Sequence, residues 1–114
     1  MIYHSVEPIS RTEAERIFAG SDEHAICNAL VSVAFYDPDW KWVQDQCLEF
    51  INTPGIAPGI RSLAATCLGH VARIHETIDW DRVVPLLESL VNEPGMGTAG
   101  DALDDIHMFV RKQD

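Results

Sequence analysis

The feature that most limits what this chain can become is an internal repeat. Displaced by forty residues, the sequence matches itself at Asp39 and Asp79, Trp40 and Trp80, Val43 and Val83, Asn52 and Asn92, Pro54 and Pro94, Gly55 and Gly95, and Leu63 and Leu103. Around the repeated Asn-x-Pro-Gly turns the apolar residues recur at helical spacing, so each unit reads as two helices. Such a pair cannot bury its apolar stripe alone and must stack on neighbours. No stretch alternates strictly for long enough to argue for a strand, and the expected class is all-α.

Six helices are expected. Ser10 and Glu13 have the spacing of a capping box, Gly20 closes the first helix, and Ser21 is read as the cap of the second. That second helix buries Ala25, Ile26, Ala29, Leu30 and Val33 and ends at Tyr36-Asp37-Pro38, with Asp37 expected to cap a third helix opened by Pro38. Trp40, Val43, Cys47, Phe50 and Ile51 form the third stripe. Pro58 opens the fourth and longest, through Ile60, Leu63, Ala64, Cys67, Leu68, Val71 and Ile74. The fifth starts at Asp79 and buries Trp80, Val83, Val84, Leu87, Leu90 and Val91. Thr98 and Asp101 repeat the capping-box spacing before Ala102, Leu103, Ile106, Phe109 and Val110. The 114 residues are read as one domain, 1–114, of three hairpins at about 11–36, 38–75 and 79–112.

Arg61-Ser62-Leu63-Ala64-Ala65-Thr66-Cys67-Leu68-Gly69-His70-Val71 resembles the second helix of a HEAT repeat, with its arginine, paired small residues and Leu-Gly step. Val83-Val84-Pro85-Leu86-Leu87 is similar to the first helix of such a repeat, which often tolerates the proline. The resemblance covers roughly residues 38–110 and implies a short HEAT-like α-solenoid. In overall appearance, including Asp37-Pro38-Asp39-Trp40 and Ala102-Leu103-Asp104-Asp105-Ile106, the chain also resembles immunity proteins of bacterial contact-dependent growth-inhibition systems. That likeness implies a partner, a toxin domain, often a nuclease, whose active site the protein blocks.

Eighteen acidic against eight basic side chains give a formal charge of −10. A surface of that sign repels nucleic acid and anionic lipid and attracts basic proteins. The longest apolar-rich run, Ala29 to Phe35, is far short of the roughly 20 residues a membrane-spanning helix needs. Met1 to Ser10 lacks the basic start and apolar core of a signal peptide, and a cytoplasmic location is expected. Cys27, Cys47 and Cys67 are odd in number, lie in no Cys-x-x-Cys, and read as reduced core thiols.

Nothing in the sequence has the pattern of catalysis. His70 and His75 are five apart, about 140° around a helix, so they do not share a face for a metal. Pro54-Gly55-Ile56-Ala57-Pro58-Gly59 has glycines but no lysine and reads as a turn, not a phosphate loop. No catalytic, cofactor-binding or metal-ligating residue is assigned, and the chain is expected not to be an enzyme.

The residues singled out instead are those that turn away from the stripes. Trp42 lies roughly 120° off its stripe, beside Gln46 and Glu49, and is either packed on the first hairpin or an interface anchor. Asp101, Asp104, Met108 and Arg111 share a side of the last helix with Asp105 at its border. Opposite the fourth stripe lie Ser62, Ala65, Thr66 and Gly69, followed by Arg73. If the second helices line a concave surface, Ser62, Thr66, Arg73, Asp101, Asp104 and Met108 would be exposed along one trough. The partner-binding set is therefore Trp42, Ser62, Thr66, Arg73, Asp101, Asp104, Asp105 and Met108. The favoured function is an immunity protein whose acidic surface occludes the active site of a basic toxin domain such as a ribonuclease; the alternative is a HEAT-type adaptor for a peptide or protein.

Overall fold

The computed structural model describes residues 6–111. The expected domain ends, 1–5 and 112–114, lie outside the described residues, and with them the start of the N-terminal segment and the hairpin boundary at 112. Six helices follow in order: α1 (Arg11–Phe18), α2 (Glu23–Tyr36), α3 (Trp40–Asn52), α4 (Pro58–His75), α5 (Trp80–Leu90) and α6 (Gly97–Phe109), with no strand among the described residues.

The helix starts show where local chemistry decides. Ser10 accepts from the Glu13 amide, as a capping serine should. The second cap is Asp22, not Ser21: its carboxylate takes the Ala25 amide and adds negative charge at the positive helix end. Asp39, not Asp37, caps α3, accepting from the Trp42 amide at 3.1 Å, while Asp37 holds the Asp39 amide at 2.9 Å. Pro38 accordingly stays outside the helix, whereas Pro58 opens α4 as expected. Thr98 does not cap α6, which begins at Gly97; its hydroxyl donates to the Ser62 carbonyl at 2.8 Å instead. Gln44, fully buried on α3, accepts from the Asp79 amide at 2.7 Å and so ties the start of α5 to the first helix of the preceding hairpin.

The two members of the repeat match in three dimensions. Gly55 and Gly95 both take a left-handed backbone, at φ 78° and 82°, in the turns after α3 and α5. A side chain would meet nothing there, so glycine is required by the backbone alone. Asp39 and Asp79 stand immediately before α3 and α5.

Helix α4 is the centre of the packing: it lies against α6, α3 and α2, while α1 pairs with α2 and α5 with α6. Such neighbour relations are those of successive hairpins with α2, α4 and α6 side by side. The three run in the same direction. Glu23 at the start of α2 lies by Gly59 at the start of α4, and Phe35 near the end of α2 stacks on His70 towards the end of α4, centroids 4.8 Å apart. Likewise Ser62 meets Thr98, and Gly69 meets Ala102 and Asp105.

Leu30, Val43, Leu68, Val71, Leu87 and Ile106 are fully buried between the layers, and truncating one to alanine costs about 2–5 kcal/mol. Cys27, Cys47 and Cys67 are buried on α2, α3 and α4, and none is in a disulfide. Hydrogen bonding to Cys47, together with burial, pushes the Cys67 thiol well above its ordinary pKa. Three members of the expected stripes are exposed, Ile74, Val91 and Phe109, each at or just beyond a helix end.

Candidate functional site

Seven of the eight residues read as partner-binding come together on α4 and α6. Ser62 and Thr66 are half-buried at the seam, where the Ser62 and Thr98 hydroxyls lie 3.2 Å apart and the Ser62 carbonyl also accepts from Thr66 at 3.4 Å. The seam closes at Gly69: a Cβ there would stand 2.8 Å from a carboxylate oxygen of Asp105 and 3.2 Å from the Ala102 Cα. Small residues on this side of α4 thus admit a neighbouring helix. Ala65 and Gly69 are consequently buried, and the trough is narrower than the sequence implied. Asp105 is half-buried at its edge; Asp101, Asp104, Arg73 and Met108 are exposed beside it, Met108 at 74%.

Trp42 is a correction. It is buried, with Arg11 stacked 4.4 Å over its ring and Phe18 6.4 Å away, so the first hairpin covers the side that the helical angle had turned outward. Phe18 in turn meets Phe50 edge-on at 5.3 Å. Trp42 offers no free surface to a partner.

The charges are unevenly paired. Arg11 binds Asp39, Arg82 binds Asp45 and Asp79, Arg61 binds Glu93, and Arg16 binds Glu13. Hydrogen bonding from Arg61 holds the Glu93 carboxyl below its usual range. Asp101, Asp104 and Asp105 take part in none of these pairs. Their side of the molecule is left electronegative, and a cation from outside would find acceptors already in place.

His70 sits among them. It stacks on Phe35, its Nδ1 lies 3.0 Å from Arg73, and burial, then the charge of Arg73, push its pKa below the ordinary histidine value against the opposing pull of Asp105. The sequence offers His70 as an ordinary surface or packing histidine ahead of a metal ligand, and here it packs on Phe35. Phe35, Tyr36 and Phe109, which sequence reasoning left as core or helix end, are also exposed on these helices.

Other concavities are less suited to a ligand. A cleft of about 460 Å³ runs between the two Asn-x-Pro-Gly turns, lined by Thr53, Gly55, Arg61, Glu93 and Met96 among others, but Arg61 is already engaged by Glu93 and by the Ile51 carbonyl. Among the described residues no three His, Cys, Asp or Glu side chains converge as a metal site.

A search of solved structures finds a chain of the crystal structure of a CDI (contact-dependent growth-inhibition) complex from Cupriavidus taiwanensis LMG 19424. It superposes with a TM-score of 0.86 at 32% sequence identity, over 96% of this chain and 96% of that one. The chain belongs to that protein's family. Membership of this contact-dependent growth-inhibition family spans the first hairpin as well, where the forty-residue pattern is not visible, and it supports the resemblance to the immunity proteins of those systems. No protein-family model matches the sequence, and no curated protein does.

Proposed function

We propose that this protein is an immunity protein that binds a cognate toxin domain and neutralises it by covering the toxin's active site with the acidic side of α4 and α6. The observation that carries this reading is the full-length likeness to a chain of a contact-dependent growth-inhibition complex. Its chemistry fits a basic toxin such as a ribonuclease: the carboxylates of Asp101, Asp104 and Asp105 carry the same sign of charge as a nucleic-acid substrate, which favours fast, salt-sensitive association. Ser62, Thr66 and Arg73 border the contact with neutral and cationic hydrogen-bonding groups, and Met108 adds exposed apolar area.

On this reading the protein is a binder and not an enzyme, and it acts in the cytoplasm. No helix among the described residues is long and apolar enough to cross a membrane. The succession of hairpins around α4 supports a short HEAT-like solenoid forming one domain.

The test is co-expression with the toxin domain encoded beside it. Growth should be restored by this protein, and a purified complex should form with an association rate that falls as salt rises. Continued killing at full expression, with no complex detectable by titration, would refute the proposal.

A further inference from the structure

Exposed large apolar side chains are normal when scattered, but here they are gathered. Of the six among the described residues, five (Phe35, Tyr36, Ile74, Met108 and Phe109) lie in the last turns of α2, α4 and α6; the sixth is Val91. Because those helices are neighbours and run the same way, their last turns form one rim.

The rim's length and charge say what fits it. Helices packed about 8–10 Å apart make a three-helix rim roughly 20 Å across, a scale comparable with one side of an ordinary protein interface. Helix C-termini carry partial negative charge, and here three end together. The unpaired carboxylates Asp101, Asp104 and Asp105 adjoin Met108 on α6, with Glu76 just past the end of α4. The basic groups at this end are Arg73 and His75 on the last turn of α4, His107 on that of α6 and Arg111 just beyond it; Arg73 is already directed to His70 and Arg111 lies with Glu76, Asp79 and Asp81. An apolar strip bordered by negative charge is complementary to a basic protein surface with an apolar centre.

Resting on the immunity reading, we infer that the toxin domain docks on this rim, with Tyr36 and Met108 as the outlying anchors and the α6 carboxylates at its border. Anchors of this kind, aromatic or thioether groups ringed by polar contacts, carry a disproportionate share of binding energy. Tyr36 and Met108 are the most exposed of the five, at 53% and 74%, so truncating them leaves the core intact.

The experiment titrates the full chain with the toxin domain encoded beside it, by calorimetry, using Tyr36→Ala, Met108→Ala, the conservative Tyr36→Phe, and Val91→Ala as a control away from the rim. Each alanine variant on the rim should bind about tenfold more weakly or worse, while Val91→Ala and Tyr36→Phe stay close to wild type. Circular dichroism confirms that each variant is folded. Wild-type binding that survives Tyr36→Ala and Met108→Ala overturns the rim and leaves the immunity reading standing. No binding by the wild type overturns the immunity reading itself, and this occupant with it. A free chain that sediments as a dimer, and as a monomer once Met108→Ala is introduced, would assign the rim to a second copy and overturn it too.

Discussion

Replacing Gly69 by alanine sets two opposed effects against each other at the α4–α6 seam. In the middle of a helix the change should stabilise by about 0.8–1 kcal/mol, because alanine loses less conformational freedom. Against this, the new Cβ would lie 2.8 Å from an Asp105 carboxylate oxygen and 3.2 Å from the Ala102 Cα. The carboxylate can swing away, but the Ala102 backbone moves only with α6, and overpacking of this kind costs about 1–3 kcal/mol. The net expectation is a loss of about 1 kcal/mol, which for a domain of this size lowers Tm by about 4 °C. Gly59 supplies the contrast: its nearest neighbour is the flexible end of Glu23 at 3.1 Å, so Gly59→Ala should be neutral or slightly stabilising. Thermal and urea unfolding of the two variants measure the difference, and Gly69→Ala with Asp105→Ala separates the carboxylate contact from the backbone one. A rise in Tm for Gly69→Ala equal to that expected of an open helix would mean that α4 and α6 do not approach as described, and the candidate face would lose its frame.

Gly55→Ala and Gly95→Ala should each destabilise by about 1–2 kcal/mol although neither creates a clash, because both force an L-residue into the left-handed region; unfolding midpoints check this. His70 has a lowered pKa in the fold, so its contribution to stability is complete above the unfolded value near 6.5 and is lost as pH falls through that value towards the folded one. His70→Gln should flatten the acid side of the stability profile below about pH 6.5 relative to wild type. Cys47 and Cys67 are buried and the Cys67 thiol is held protonated, so neither should react with a thiol reagent until the protein is unfolded by urea. Asp101→Asn with Asp104→Asn should slow association with a basic toxin several-fold at low salt and much less at high salt, measured by stopped flow.

The order of helices could be read from the sequence because it rests on local chemistry and period. The Asn-x-Pro-Gly turns, Pro58 and the capping residues interrupt apolar stripes that only helices satisfy. Caps shifted by one residue, from Ser21 to Asp22 and by two from Asp37 to Asp39, because neighbouring side chains of similar capping power compete and backbone geometry selects one. Thr98 went further: α6 starts at Gly97, so Thr98 lies inside the helix and its hydroxyl donates to the Ser62 carbonyl of the preceding hairpin. The same limit explains Trp42. Helical angle places its side chain off the stripe correctly, yet whether α1 lies there is a tertiary fact that no window of α3 contains. Ile74 and Phe109 err in the opposite sense: period assigns them to the stripe, but they stand in the last turns of their helices and are exposed. Residues Ser62, Thr66, Asp101 and Asp105 could each be picked by composition of their helix face. Their meeting at one seam depends on the parallel approach that Gly69 and Ala102 allow.

The placement of arginine joins architecture to binding. Arg11 reaches from the first hairpin to Asp39 ahead of the second; Arg82 reaches from the third back to Asp45, and Arg61 forward to Glu93. Each of these pairs bridges successive hairpins. Exposed pairs of this sort contribute only about 0–1 kcal/mol, too little to hold the layers together against the hydrophobic burial around Leu68 and Leu87. What they do is consume basic side chains at the joints. With only eight lysines and arginines against eighteen acids, few cations remain to neutralise the second helices, and on α6 Asp101, Asp104 and Asp105 take part in no ion pair among the described residues, although Arg111 shares their side and Arg73 is turned to His70. On the proposed reading, the three α6 carboxylates beside an apolar rim let long-range attraction and short-range contact act on the same partner.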